Sequence, residues 1–122
     1  MLTSLSAPDS ADPSDRLALL RAELARYVGI LSRDHRVRTV LVFGSVARGA
    51  PQEDSDIDLV VVLDTDAPFF RRLAELRRIL RPVVATDILA YTPAELERLV
   101  AERPFVRDEI LGSGRVLYER AA

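Results

Sequence analysis

The chain has 122 residues, a formal net charge of −2, one histidine and no cysteine. That length supports one ordinary core rather than two, and the composition excludes disulfides, zinc–thiolate sites, cysteine nucleophiles and a histidine metal cluster around His35. All 17 basic residues are arginine, which removes lysine Schiff-base chemistry and the lysine of a Walker P-loop, and a mildly acidic chain argues against strong general binding of nucleic acid.

In chain order, residues 1–12 are rich in Ser, Pro and Asp and are expected to form a flexible tail, with residues 13–122 as a single domain. "MLTSLSAPDSAD" lacks the basic start and apolar middle of an export signal, and no apolar run approaches the roughly 20 residues needed to span a bilayer, so a cytoplasmic protein without a membrane partner is expected. Asp12 and Pro13 supply a cap and a first-turn proline for a helix to about Arg33, with Leu17, Leu20, Leu24, Val28 and Leu31 at helical spacing. "VRTVLVF", Val37 to Phe43, reads as a strand ending at Gly44, and "DIDLVVVL", Asp56 to Leu63, as a second. Asp66 is expected to cap a helix that carries Phe69, Leu73, Leu76 and Leu80 and stops at Pro82. "VVATDILA", Val83 to Ala90, is a third strand. Thr92, Pro93 and Glu95 have the form of a capping box opening a helix to about Glu102. A short helix follows from Pro104 to Leu111, and "RVLYE" is a last strand or hook. This order predicts an α+β domain with a small mixed β-sheet packed with helices.

Asp56 and Asp58 open a strand that otherwise reads as core. Alternation puts both on one face about 6.6 Å apart, where two bare carboxylates repel by on the order of 2–3 kcal/mol at an effective dielectric near 20. A divalent cation reverses the sign of that cost, and Mg²⁺ suits an open carboxylate pair that also meets substrate phosphates. Two solvated acids at a strand start are the plainer alternative for an isolated Asp-x-Asp. The preceding strand changes the balance. Gly44 lets backbone approach a ligand, Ser45 offers a hydroxyl, and the following residues can turn into a helix whose first NH groups favour an anion. Ten residues separate Ser45 from Asp56, giving Gly-Ser-x10-Asp-x-Asp.

With Gly44, Ser45, Ala47, Arg48 and Gly49 followed by Ser55 to Leu59, the chain resembles the DNA polymerase beta-type nucleotidyltransferase superfamily, and within it the minimal nucleotidyltransferases (MNT proteins). The resemblance implies the polymerase beta-like fold, Gly44 and Ser45 at a nucleoside triphosphate, and Mg²⁺ on Asp56 and Asp58. It also implies a third acid in a later strand, most naturally Asp87 in "VVATDILA", where Val83, Ala85 and Leu89 would share its face and leave an acid costly unless ligated. Two Mg²⁺ ions would then be bridged by Asp56 and Asp58. Asp87 would complete the site at the attacking hydroxyl and accept its proton directly or through water. Arg48 either assists at the phosphates or locks the motif helix by a salt bridge.

MNT proteins are commonly paired with a HEPN toxin, an all-helical RNase, and transfer AMP from ATP to a tyrosine hydroxyl of it. The resemblance therefore implies an antitoxin acting in a hetero-oligomer. Two other functions compete: a non-catalytic antitoxin that neutralises by binding alone, and a subunit of a small-molecule, antibiotic-modifying nucleotidyltransferase. Outside the motif, Arg71, Arg77, Arg78 and Arg81 read as a solvated helical face, Glu53 and Asp54 as loop charge, and Phe69, Phe70 and Tyr118 as packing residues.

Overall fold

A computed structural model describes residues 13–47 and 57–121. The elements are α1 (Pro13–Leu31), β1 (Val37–Phe43), α2 (Gly44–Ala47), β2 (Ile57–Leu63), α3 (Phe69–Leu80), β3 (Thr86–Tyr91), α4 (Pro93–Glu102), α5 (Pro104–Val106), which runs into a π-helical turn at Arg107–Gly112, and β4 (Arg115–Glu119). The strands form one mixed sheet in the order β3-β2-β1-β4. β1 is antiparallel to β2 and to β4, whereas β2 and β3, joined by the α3 crossover, are parallel.

β2 lies centrally with helices on both faces, which is why it reads as an unbroken apolar run rather than an alternating one. Ile57, Leu59, Val61 and Leu63 face α1 and α3, packing with Leu20, Leu24, Tyr27, Leu31, Leu76 and Leu80. Val60 and Val62 face the other way, with Leu41, Phe43, Leu89, Leu96 and Ile110. Asp58 is the one residue of β2 that is not buried. Its place in the alternation puts it on the second face.

The boundaries of β1 and the α4 capping box match the sequence reading: Thr92 Oγ1 accepts from the Glu95 backbone NH, and Glu95 accepts from the Thr92 NH at 2.9 Å. α1 ends at Leu31 rather than Arg33. Three expectations fail. Asp66 does not cap α3; Pro68 holds that position with no side-chain bond, its carbonyl taking the NH groups of Arg71 and Arg72. Phe70 is not core but 82% exposed, because it sits one position off the α3 stripe. The third strand begins at Thr86, not Val83. Arg81 ends α3 in the left-handed region at φ 46° and Pro82 follows, so Val83 and Val84 are used in reversing the chain.

That reversal is tied down from α1. Arg26 donates to the carbonyls of Leu80 and Arg81 at 2.7 and 3.0 Å, and Glu23, ion-paired with Arg26, accepts from the Val83 NH at 2.9 Å. At the other end of the crossover, the buried Arg72 donates to the carbonyls of Ala67 and Ala90 and makes a two-pronged pair with Glu95, at 2.6 and 3.1 Å. A buried guanidinium is tolerated because its donors are taken up.

These pairs make a pH prediction. The guanidinium of Arg72 and the Thr92 NH pull the Glu95 carboxyl from 4.5 down to about 2, and Arg26 with the Val83 NH does the same for Glu23 against the opposing effect of burial. Both folded values lie below the unfolded ones, so the stability they contribute is present above about pH 4.5 and lost as pH falls towards 2. Melting curves should therefore be flat near neutrality and fall through that window. Glu95→Gln should melt lower than the unaltered protein at pH 7, with the gap closing near pH 2.

Candidate active site

β1 delivers the site from one side. Phe43 pairs with Asp58 across the β1–β2 ladder, and the next residue, Gly44, turns the chain into α2 at φ 75°. This conformation is open to glycine at no steric cost. The glycine is also required by contact: a Cβ there would fall inside the van der Waals shell of Asp58 Oδ2 and lie 3.3 Å from its Cγ. Backbone and carboxylate are thus packed directly together. The expected turn from strand into helix after Gly44 is present as α2, whose Val46 and Ala47 are buried against the core.

β3 delivers the site from the other side. In the parallel β2–β3 ladder Asp58 is the register partner of Asp87. Partners in adjacent parallel strands project from the same face with backbones about 4.8 Å apart. The sheet therefore brings together two of the three acids expected from sequence, at the strand end that Gly44 abuts. Asp87 is exposed at this mouth, not set among apolar neighbours as expected, because Val83 and Ala85 precede the strand. Asp56 and Arg48 lie outside the described residues, as does the side chain of Ser45. Among the described residues no group of three metal-ligating side chains comes together.

The donors present fit a hard cation. Asp58 and Asp87 offer carboxylate oxygens alone, the set that suits Mg²⁺ rather than a thiophilic metal, and two carboxylates leave positions for water and phosphate. Asp58 and Asp87 are the residues that would hold it, with Asp56, two positions before Asp58, completing the expected set.

The sequence reading missed what stands behind Asp87. Thr86 is 5% exposed, and its Oγ1 lies 2.8 Å from the hydroxyl of Tyr27, a fully buried α1 residue. Arg77, expected to be part of a solvated face, donates to the Thr86 carbonyl at 2.7 Å. A signal for Tyr27 existed, since it falls at helical spacing between Leu24 and Leu31.

The chain belongs to the polymerase beta nucleotidyltransferase family, which it matches over residues 27–122. It is an enzyme of the nucleotidyltransferase class, with the α+β fold of that family and the minimal nucleotidyltransferase character read from its motifs. It is 28% identical over 95 residues to a protein of Methanocaldococcus jannaschii provisionally named a protein adenylyltransferase, covering 77% of this chain and 90% of that one. A crystal structure from Sulfolobus solfataricus, provisionally a nucleotidyltransferase, matches with a TM-score of 0.61 at 20% identity over 90% of both chains. A toxin–antitoxin crystallised with AMP-PNP matches at 0.51 and 16% identity, covering 81% of this chain and 73% of that one. At these identities the structural likeness is one of fold.

Gly44→Ala tests the packing of glycine on carboxylate. The left-handed backbone costs about 1–2 kcal/mol and lowers the melting temperature modestly. Displacing Asp58 costs far more in rate, so nucleotidyl transfer should fall by at least about 100-fold, the scale of a 1 Å misplacement at a reacting centre.

Proposed function

We propose that the protein transfers AMP from ATP to a hydroxyl, most simply a tyrosine, of a partner toxin of the HEPN type, and so acts as an antitoxin. The observation that carries the catalytic half is the register pairing of Asp58 with Asp87 beside the Gly44 turn. The protein-directed half is supported by the relative named as a protein adenylyltransferase and by the toxin–antitoxin fold neighbours, one of them crystallised with an ATP analogue. Among the described residues no helix is long and apolar enough to cross a membrane, which fits a partner met in solution.

The roles of Gly44, Asp58 and Asp87 draw support from their placement, and those of Asp56, Ser45 and Arg48 from the motif. Asp56, Asp58 and Asp87 hold divalent metal, as two Mg²⁺ ions on this reading, and Gly44, Ser45 and Arg48 hold the triphosphate. When bound, Mg²⁺ supplies charge to offset the phosphates and the oxygens that develop charge at phosphorus. Asp87, exposed at the strand mouth, is open to an incoming hydroxyl and can take its proton directly or through water. Gly44 permits the α2 backbone to approach the ligand as closely as it approaches Asp58. The reading of the active assembly as a hetero-oligomer is supported by the toxin–antitoxin fold neighbours.

The test is incubation with Mg²⁺ and ATP labelled on the α-phosphate, with the protein encoded beside this one as acceptor. Label should appear on that partner, vanish with chelator, and fall by several orders of magnitude in Asp58→Asn and Asp87→Asn, whose folds should survive. Near-normal labelling by these variants would mean the acids are structural. Label on a small molecule, or none with the partner still neutralised in cells, would replace the proposal with the antibiotic-modifying or the binding-only alternative.

A further inference from the structure

Asp87 sits at the first turn of an edge strand, the place where a ladder is most easily frayed, yet a catalytic carboxylate must hold its position to within a fraction of an ångström. Thr86, immediately before it, is held at both its side-chain hydroxyl and its carbonyl. Its Oγ1 donates to the Val84 carbonyl at 3.0 Å and lies 2.8 Å from the Tyr27 hydroxyl, with which it shares a hydrogen bond. Its carbonyl accepts from Arg77 at 2.7 Å. The preceding carbonyl, of Ala85, accepts from the Ile57 NH at 3.0 Å, starting the parallel ladder one step before Asp58 meets Asp87.

We propose that Tyr27 and Arg77 are positioning residues for the metal site: by holding the side chain and the carbonyl of Thr86, they fix Asp87 in register with Asp58, where the two acids would hold a divalent cation. This rests on the reading of Asp58 and Asp87 as metal-holding acids. Neither positioning residue touches metal or substrate. Tyr27 acts from within the core, from α1, and Arg77 from the surface of α3, so the two elements that cover this sheet face both bear on one strand end. Four consecutive backbone positions before Asp87 are thereby constrained: Val83 by Glu23, Val84 by Thr86, Ala85 by β2 and Thr86 by Tyr27 and Arg77. The remaining freedom is that of the Asp87 side chain itself.

The experiment measures Mn²⁺ binding in the presence of AMP-PNP by electron paramagnetic resonance, alongside melting temperature and the Mg²⁺ concentration needed for half-maximal transfer. Tyr27→Phe keeps the ring and removes the hydroxyl that bonds Thr86; Arg77→Met keeps the stem on an exposed side chain and removes the charge. Each should weaken Mn²⁺ binding by about 10–100-fold, the range for groups that orient a metal-holding side chain, and raise the Mg²⁺ requirement in parallel. Arg77→Lys, which can still donate to one carbonyl, should recover most of the loss. Val37→Ala, at the far end of the sheet opposite Leu63, should melt lower without changing Mn²⁺ affinity. If Asp58→Asn and Asp87→Asn bind Mn²⁺ as well as the unaltered protein, the metal-site reading itself falls. If those two abolish binding while Tyr27→Phe and Arg77→Met bind normally, or if Val37→Ala loses as much affinity as they do, the positioning inference alone is overturned.

Discussion

The register of β2 against β3 is the constraint from which the site follows. Parallel pairing places Asp58 beside Asp87 on one face, and because side chains alternate, a slip of a single residue would send one carboxylate to the face of α1 and α3. Register is enforced by burial. Ile57, Leu59 and Val61 point into one core and Val60 and Val62 into the other, so a one-residue slip of β2 would exchange the two sets between the faces. The α3 crossover sets β3 to match, with Arg72 anchoring where the helix begins and Glu23 and Arg26 where it ends.

On the central strand, a second carboxylate stands beside Asp58 and the Gly44 backbone packs against its side chain, which brings two acids to one strand end. Several other acids are paired with arginine: Glu23 with Arg26, Asp34 with Arg36, Asp64 with Arg38 and Glu95 with Arg72. Asp58 and Asp87 stand in register with each other at the strand mouth, where Asp87 is exposed. Two carboxylates in register offer the oxygen donors that a divalent cation takes.

Much of this was legible in the sequence because it depends on local rules. Val37 to Phe43 is a β-branched run bounded by glycine, and Thr92-Pro93-x-Glu95 is a capping box by spacing alone; both appear at the residues expected. The pairing of Asp58 with a later acid was legible only as far as the strands were, and there the boundary of β3 was misjudged. Val83 and Val84 have strand propensity, but the left-handed Arg81, Pro82 and the Glu23 contact commit them to a turn. Arg72, Tyr27 and Arg77 were misjudged or passed over for a different reason. Their roles are set by partners in other elements, 9 to 59 positions away, which no periodicity within one helix encodes.

The central claim is that Asp58 and Asp87 form a divalent-metal site at which nucleoside triphosphate binds. Calorimetric titration with AMP-PNP tests it most directly, run in Mg²⁺ and again in chelator on the unaltered protein and on Asp87→Asn. The account predicts tight binding only for the unaltered protein in Mg²⁺, since without metal the carboxylates and the triphosphate repel. Equal affinity in Mg²⁺ and in chelator would contradict it.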